Sequence, residues 1–188
     1  QDHKAEEITT ETLTMLARVA GRDTDPAVVQ RFSKLLQEEI RRGAALPLEI
    51  IEVVTGWAND LKGERRLGNQ VARALIRVYK LLAQREIPAW EPLLERAMLR
   101  FLEEIDTNLL SQGETEAVNL ISALVRVDRG VLDRLVEHGP HFKPRNVRPL
   151  AIAIRRTEGK GSPLLAQILA ASWCPPETRS LILELQEA

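Results

Sequence analysis

Residues 116–156, EAVNLISALVRVDRGVLDRLVEHGPHFKPRNVRPLAIAIRR, decide the fold of this chain. Their apolar residues recur every three or four positions, the period of an α-helix, in three successive segments. These are Val118, Ile121, Leu124 and Val125, then Val131, Leu132, Leu135 and Val136, then Val147, Leu150 and Ile154. Asp128 begins the second segment, because an aspartate accepts hydrogen bonds from the free amides of a first helical turn. Gly139 follows it, since glycine adopts the left-handed conformation past a helix end at little cost. The stretch therefore predicts a helix, a tight turn, a helix, a loop and a helix.

The helical pattern repeats. The third segment matches the first at a distance of 29 residues, and Arg155 then falls on Arg126. The second segment recurs 33 residues later, at Leu164, Leu165, Ile168 and Leu169. A two-helix unit of about 30 residues is typical of stacked helical hairpins, in which each hairpin covers its neighbour's apolar face. An irregular helical bundle is the alternative, because any amphipathic helices produce some matches of this kind.

The rest of the chain continues the pattern. Helix start signals precede apolar stripes at Pro26, Pro47, Pro163 and Pro176, and proline is tolerated at the first helical position. We predict an all-α fold of about ten helices, arranged as stacked antiparallel hairpins in one solenoid-like domain over residues 1–188. Residues 1–9 are polar, and we expect them to be flexible. The chain does not begin with methionine, which suits a processed chain or a fragment.

Two positions need a special explanation. Gly56 lies inside the third predicted helix, where glycine costs about 1 kcal/mol relative to alanine. We attribute it to the close approach of another helix. Pro149 is acceptable in the eighth helix if Asn146 is the N-cap residue, because the proline then occupies the third helical position.

Composition limits the class of protein. Hydrophobic residues make up 44% and charged residues 28%, an ordinary globular composition, but aromatic residues make up only 4%. A core of Leu, Ile, Val and Ala suits helical packing, and base-stacking sheets that need exposed aromatic residues are disfavoured. The single cysteine, Cys174, excludes an intramolecular disulfide framework and indicates a reducing compartment, cytoplasm or organelle matrix. No apolar run is long enough to predict a membrane span.

Charge is unevenly distributed. Formal net charge is -1 overall, but residues 121–163 carry nine lysines and arginines against four acidic residues. A basic surface of this kind can meet an acidic protein or follow a phosphate backbone. An ordinary solvated helix face would show the same composition. The candidate macromolecule-binding residues are Arg126, Arg129, Lys143, Arg145, Arg148, Arg155, Arg156 and Lys160. If the hairpins stack, Arg126 and Arg155 should lie in one row.

No catalytic, cofactor or metal site is indicated. His138 and His141 flank a Gly-Pro turn without a third ligand at a suitable spacing. Cys174 has no base nearby in sequence, which favours a packing role. The pairs Glu38-Glu39 and Glu103-Glu104 point about 100° apart on a helix, so we expect solvated carboxylates rather than an acid–base pair.

The pattern resembles HEAT/armadillo-type helical solenoids. Residues 143–154, KPRNVRPLAIAI, and more faintly residues 47–58, PLEIIEVVTGWA, are also similar to the organellar FAST-kinase-like and octotricopeptide repeats, in which a Pro-rich, polar and then apolar helix recurs. The first resemblance implies a protein-binding scaffold, and the second implies RNA binding in an organelle. The sequence therefore predicts a non-enzymatic scaffold for protein–protein interaction, with an RNA-binding module over residues 126–160 as the alternative.

Overall fold

The computed structural model describes residues 8–22, 25–62 and 67–188. These ranges contain ten α-helices and no strand, which confirms the all-α class. The flexibility predicted for residues 1–9 falls mostly on residues 1–7, which lie outside the described residues. The helices are α1 (Thr10–Arg22), α2 (Pro26–Arg41), α3 (Leu48–Gly56), α4 (Gly68–Ala83), α5 (Glu91–Glu104), α6 (Gly113–Val127), α7 (Val131–His138), α8 (Val147–Glu158), α9 (Pro163–Ala170) and α10 (Pro176–Glu187).

Several helix starts follow directly from local chemistry. The Asp25 side chain accepts a hydrogen bond from the Ala27 amide at 2.9 Å at the start of α2. Ser162 does the same for the Leu164 amide at 3.2 Å at the start of α9. These caps satisfy amides that have no partner within the helix. The predicted start signals at α2 and α9 are therefore confirmed.

Alternate helices contact one another. α2, α4, α6, α8 and α10 pack side by side in that order, and we call them the even row. α1, α3, α5, α7 and α9 contact in the same order and form the odd row. One continuous apolar core lies between the rows. At its centre, the rings of Tyr79 and Phe101 meet edge to face at 6.5 Å, joining α4 to α5.

The C-terminal ends of the even row lie on one side of the molecule. Arg85, just after α4, donates a hydrogen bond to the Ala44 carbonyl beyond the end of α2 at 3.1 Å. Arg155, near the end of α8, donates to the Leu185 carbonyl near the end of α10 at 2.8 Å. We call this side the C-terminal edge and the opposite side the N-terminal edge. Aligned helix dipoles make the first partly negative and the second partly positive.

The predicted left-handed conformation of Gly139 is wrong. Its φ is -47° and its ψ is -40°, both helical. A Cβ atom at this position would lie 2.3 Å from Cη2 of Trp173. Glycine is required because the indole ring packs on the bare backbone, and not because of the backbone conformation.

The predicted close approach of a helix to Gly56 is also wrong. A Cβ atom at Gly56 would meet nothing within 4 Å. The α-helix ends at this residue, and a 3₁₀ turn continues over Trp57–Asp60. Packing therefore gives no reason for the missing side chain.

Asn146 precedes α8, and Pro149 occupies the third helical position as predicted. The Asn146 side chain does not cap the helix, however. It is fully buried and accepts hydrogen bonds from the amide and hydroxyl of Thr107 while its amide group donates to the carbonyls of Leu102 and Ile105. This one side chain joins the start of α8 to the end of α5 and to the 3₁₀ turn that begins at Thr107.

Candidate functional site

The structure divides the predicted basic surface between the two edges of the even row. Arg126, Arg129 and Arg156 line one cavity at the C-terminal edge. Arg145 and Arg148 line a smaller cavity at the N-terminal edge. The predicted row of Arg126 and Arg155 is wrong, since Arg155 turns away from that cavity and bonds to α10. Neighbouring positions on a helix point about 100° apart, so Arg156 and not Arg155 faces Arg126.

The C-terminal-edge cavity is an open space of about 860 Å³ between the ends of α4, α6 and α8. We call it the edge cavity. Its lining residues are Glu86, Ser122, Val125, Arg126, Arg129, Arg156, Thr157 and Glu158. Arginine at a helix C-terminus is favoured by the helix dipole, so the positions of Arg126 and Arg156 alone do not define a site. Their convergence with Arg129, which belongs to the turn after α6, is the distinctive feature.

The three guanidinium groups of the edge cavity differ in their partners. Arg126 forms an ion pair with Glu86, and both side chains are about half exposed. Arg156 donates to the neutral side-chain oxygen of Asn119 at 2.8 Å. The Arg129 side chain is exposed and has no hydrogen-bond or ion-pair partner in the described part of the chain. The lining thus holds three arginines and two glutamates, and one arginine is available to an incoming anion.

Glu86 is held in an unusual backbone conformation. Its φ of 53° lies in the left-handed region, which non-glycine residues adopt at a cost of about 1 kcal/mol. It directly follows the turn that ends α4, where glycine is the common choice. The strained glutamate places a carboxylate against Arg126 at the cavity wall. Backbone strain of this kind is enriched at binding sites.

The basic residues of the N-terminal edge are compensated by nearby carboxylates. Arg148 pairs with Glu114 at 2.9 Å, and Arg145 lies 3.8 Å from Asp106. These two arginines are therefore partly neutralised.

The remaining two predicted residues lie apart from one another. Lys143 is half-buried, and its backbone amide donates to the Leu102 carbonyl at 3.0 Å. Lys160 is exposed in the turn after α8. The eight predicted residues therefore form no single face.

A charge cluster between α5 and α7, with its glutamates buried and with Arg134 and Asp128 partly exposed, has no counterpart in the sequence predictions. Arg134 donates two hydrogen bonds to the Glu95 carboxylate, at 2.7 and 2.9 Å, and a third to Asp128 at 2.6 Å. Glu91 faces Glu95 and is itself buried. Burial, followed by the contact with Glu95, raises the pKa of Glu91 to about 7. Arg134 lowers the pKa of Asp128. The cluster depends on the ion pair between Glu95 and Arg134. These residues lie 39 positions apart, so the sequence pattern does not indicate that they meet.

The other candidate groups have ordinary surroundings. The rings of His138 and His141 lie 6.3 Å apart, and the described ranges contain no group of three His, Cys, Asp or Glu side chains placed to hold a metal. Cys174 is a buried free thiol, and burial raises its pKa.

The expectation that both glutamate pairs are solvated is wrong for Glu39. Its side chain is 3% exposed and pairs with Arg42 at 2.8 Å. Within the other pair, Glu104 is 11% exposed and lies 3.2 Å from Arg100. Each of these carboxylates is close to an arginine, which offsets the cost of burying its charge.

No protein-family description, curated protein or solved structure matches this chain. No described helix is both long and apolar enough to cross a membrane.

Proposed function

We propose that this protein is a non-enzymatic helical-repeat scaffold that binds an acidic segment of another protein in the edge cavity. The supporting observation is the convergence of Arg126, Arg129 and Arg156 from three chain segments on one open space. Arginine presents a planar fork of donors that matches a carboxylate, so three of them suit a segment with several acidic side chains. The volume of about 860 Å³ is that of a typical ligand pocket.

The walls of the edge cavity support the same partner. The cavity lies on the ends of packed helices, so its arginines are positioned by a rigid scaffold. In the free protein, the Glu86 carboxylate forms an ion pair with Arg126. An acidic segment that displaces this carboxylate would exchange one ion pair for another, while Arg129 gains a partner that it lacks. Both changes favour an anionic ligand over a neutral one.

A protein partner suits the charge distribution better than RNA. A phosphate backbone needs a continuous path of cations, because each contacted phosphate adds to the affinity. Here the cations lie at opposite edges of the even row, and Arg145 and Arg148 are close to carboxylates. RNA binding is therefore the competing outcome of the test.

The helical-repeat assignment and the compartment are parts of the same proposal. Helices with matching apolar patterns, α6 with α8 and α7 with α9, are neighbours in the same row, as stacked hairpins require. The single buried thiol suits a reducing intracellular compartment.

The test is fluorescence anisotropy with a labelled glutamate-rich peptide and a labelled single-stranded RNA, each at low and moderate salt. We expect the peptide to bind and Arg129→Glu/Arg156→Glu to abolish binding. The matched charge change at the other edge, Arg145→Glu/Arg148→Glu, should leave peptide binding unchanged. Preferential binding of RNA, or equal loss of peptide binding in both variants, would overturn the proposal.

A further inference from the structure

Each row of helices ends in helices that have one neighbour within their row. α1 and α9 are the terminal helices of the odd row, and α2 and α10 are those of the even row. In stacked hairpins each unit covers its neighbour's face, so a terminal helix leaves one face uncovered. We call the uncovered faces of α1 and α2 the first end and those of α9 and α10 the last end. Both ends lie outside the edge cavity, which α4, α6 and α8 form.

The first end is basic along α2. The exposed side chains of this helix include Arg31, Lys34 and Arg41, and none of these three has a hydrogen-bond or ion-pair partner in the described ranges. The helix also exposes Glu38, so its exposed cations outnumber its exposed carboxylates. A partner that covers this face must therefore bring carboxylates.

The last end is acidic along α10. Glu177, Glu184 and Glu187 are exposed, and their carboxylates have no partner among the described residues. Arg179 of the same helix is half-buried and donates hydrogen bonds to two backbone carbonyls of the segment before α10. It does not pair with the three carboxylates, and Leu183 is 50% exposed beside them. The two ends of the even row thus carry opposite charge.

The two ends of the odd row are uncharged where they face outward. Met15 and Val19 of α1 are 58% and 57% exposed and lie one helical turn apart. Gly21 faces α3, because a Cβ atom there would lie 3.2 Å from an α3 side chain, and Val19, two positions earlier, points away from α3. At the other end of the row, α9 carries no charged residue and exposes Ala166 and Ala170.

Ion pairs already join neighbouring helices within each row. In the even row, Lys80 of α4 lies 2.7 Å from Glu116 of α6. In the odd row, Arg134 of α7 pairs with Glu95 of α5 at 2.7 Å. A contact between the cations of α2 and the carboxylates of α10 would therefore be of the same kind as the contacts inside the chain.

We propose that copies of this chain associate head to tail, with the last end of one copy packed on the first end of the next. Glu184 and Glu187 of α10 then meet Arg31 and Lys34 of α2, which continues the even row. The exposed apolar residues of α1 meet the alanines of α9, which continues the odd row. A two-fold symmetric dimer through either end would instead place like charges of the even row against each other.

The test is sedimentation velocity of the 188-residue chain from micromolar to millimolar concentration, at low and moderate salt. Exposed ion pairs each stabilise a contact only slightly, so we expect weak association. The average mass should rise with protein concentration and fall with added salt. A chain that stays monomeric over the whole range would overturn the proposal.

Charge reversal identifies the two ends. We expect Arg31→Glu/Lys34→Glu and Glu184→Lys/Glu187→Lys each to be monomeric over this range, because each variant carries the same sign of charge at both ends of its even row. An equimolar mixture of the two variants should associate again. The reason is that the unchanged α10 of the first variant fits the unchanged α2 of the second.

Arg73→Glu/Arg96→Glu is the matched control, because both arginines are exposed on α4 and α5, which are not terminal helices. It should associate like the wild type. Met15→Gln/Val19→Gln should weaken association about tenfold, since it removes the apolar contact with α9. Circular dichroism verifies the fold of every variant. Normal association of either charge-reversed end or of the glutamine variant, a mixture that stays monomeric, or an equal loss in the control would overturn the proposal.

Discussion

Replacing Asn146 by alanine should be among the most destabilising single changes in this protein. The side chain is fully buried and makes four hydrogen bonds. It accepts from the Thr107 amide at 3.0 Å and the Thr107 hydroxyl at 2.8 Å. It donates to the carbonyls of Leu102 and Ile105 at 2.7 and 2.6 Å. Alanine would leave the amide and hydroxyl of Thr107 and the carbonyl of Ile105 buried without a partner, while the Leu102 carbonyl would keep its bond from the Lys143 amide.

The expected loss follows mainly from the three groups that lose their partner. A buried polar group that loses its partner costs about 1–3 kcal/mol, and the removed side-chain volume adds a smaller cavity cost. Groups that share one partner are not additive, since some will turn to one another or to water. We therefore expect the free energy of unfolding to fall by about 4 kcal/mol, a large part of the ~5–15 kcal/mol available to a domain.

Urea unfolding followed by circular dichroism measures this change. Asn108→Ala is the matched control, because Asn108 is exposed and lies one residue after Thr107. It should change stability by no more than about 0.5 kcal/mol. A loss below ~1.5 kcal/mol for Asn146→Ala would show that the four bonds do not hold α8 to α5, and would refute the reasoning.

Three further predictions concern single residues. Gly139→Ala should lower the free energy of unfolding by about 2 kcal/mol, because the new methyl group overlaps the Trp173 ring. A variant as stable as the wild type in urea titrations would contradict this contact. The pKa of Glu91 is raised in the folded state, so between pH ~4.5 and ~7 the native protein binds one proton that the unfolded chain does not. The free energy of unfolding should therefore fall by about 2 kcal/mol as the pH rises through this window. Glu91→Gln should flatten that pH dependence in urea titrations, and an equally steep profile in the variant would assign it to another group. Glu86→Gly removes left-handed strain and a half-exposed ion pair of similar size, so stability should stay within about 1 kcal/mol. The same change releases Arg126 and should tighten the binding of a glutamate-rich peptide, whereas weaker binding would count against the edge cavity.

Helix positions were predictable from sequence because their causes are local. Apolar residues at helical spacing, the Asp25 cap and the proline at the start of α9 act within one turn of the chain. The sequence also places basic residues together along residues 121–163. The sequence does not show which helix each basic side chain contacts. That contact decides whether the side chain already has a hydrogen-bond or ion-pair partner.

Several of these differences share one physical origin, namely contacts between segments distant in sequence. Gly139 leaves room for the Trp173 ring, and Asn146 donates hydrogen bonds to carbonyls about 40 residues earlier in the chain. Arg155 and Arg156 are adjacent in sequence, yet one bonds to α10 and the other lines the edge cavity. The apolar match at a distance of 29 residues aligned Arg155, and not Arg156, with Arg126. Apolar spacing defines the buried face of a helix more accurately than it defines the direction of a polar side chain at the helix end.

That adjacent pair provides the most direct test of acidic-segment binding in the edge cavity. The measurement is the dissociation constant of a labelled glutamate-rich peptide for Arg156→Gln and for Arg155→Gln, at low salt, with the folded state of each variant verified by circular dichroism. We expect Arg156→Gln to weaken binding about fivefold, the loss of one charged contact of ~1 kcal/mol, and Arg155→Gln to bind like the wild type. Equal affinities for the two variants, or a larger loss for Arg155→Gln, would contradict binding in the edge cavity.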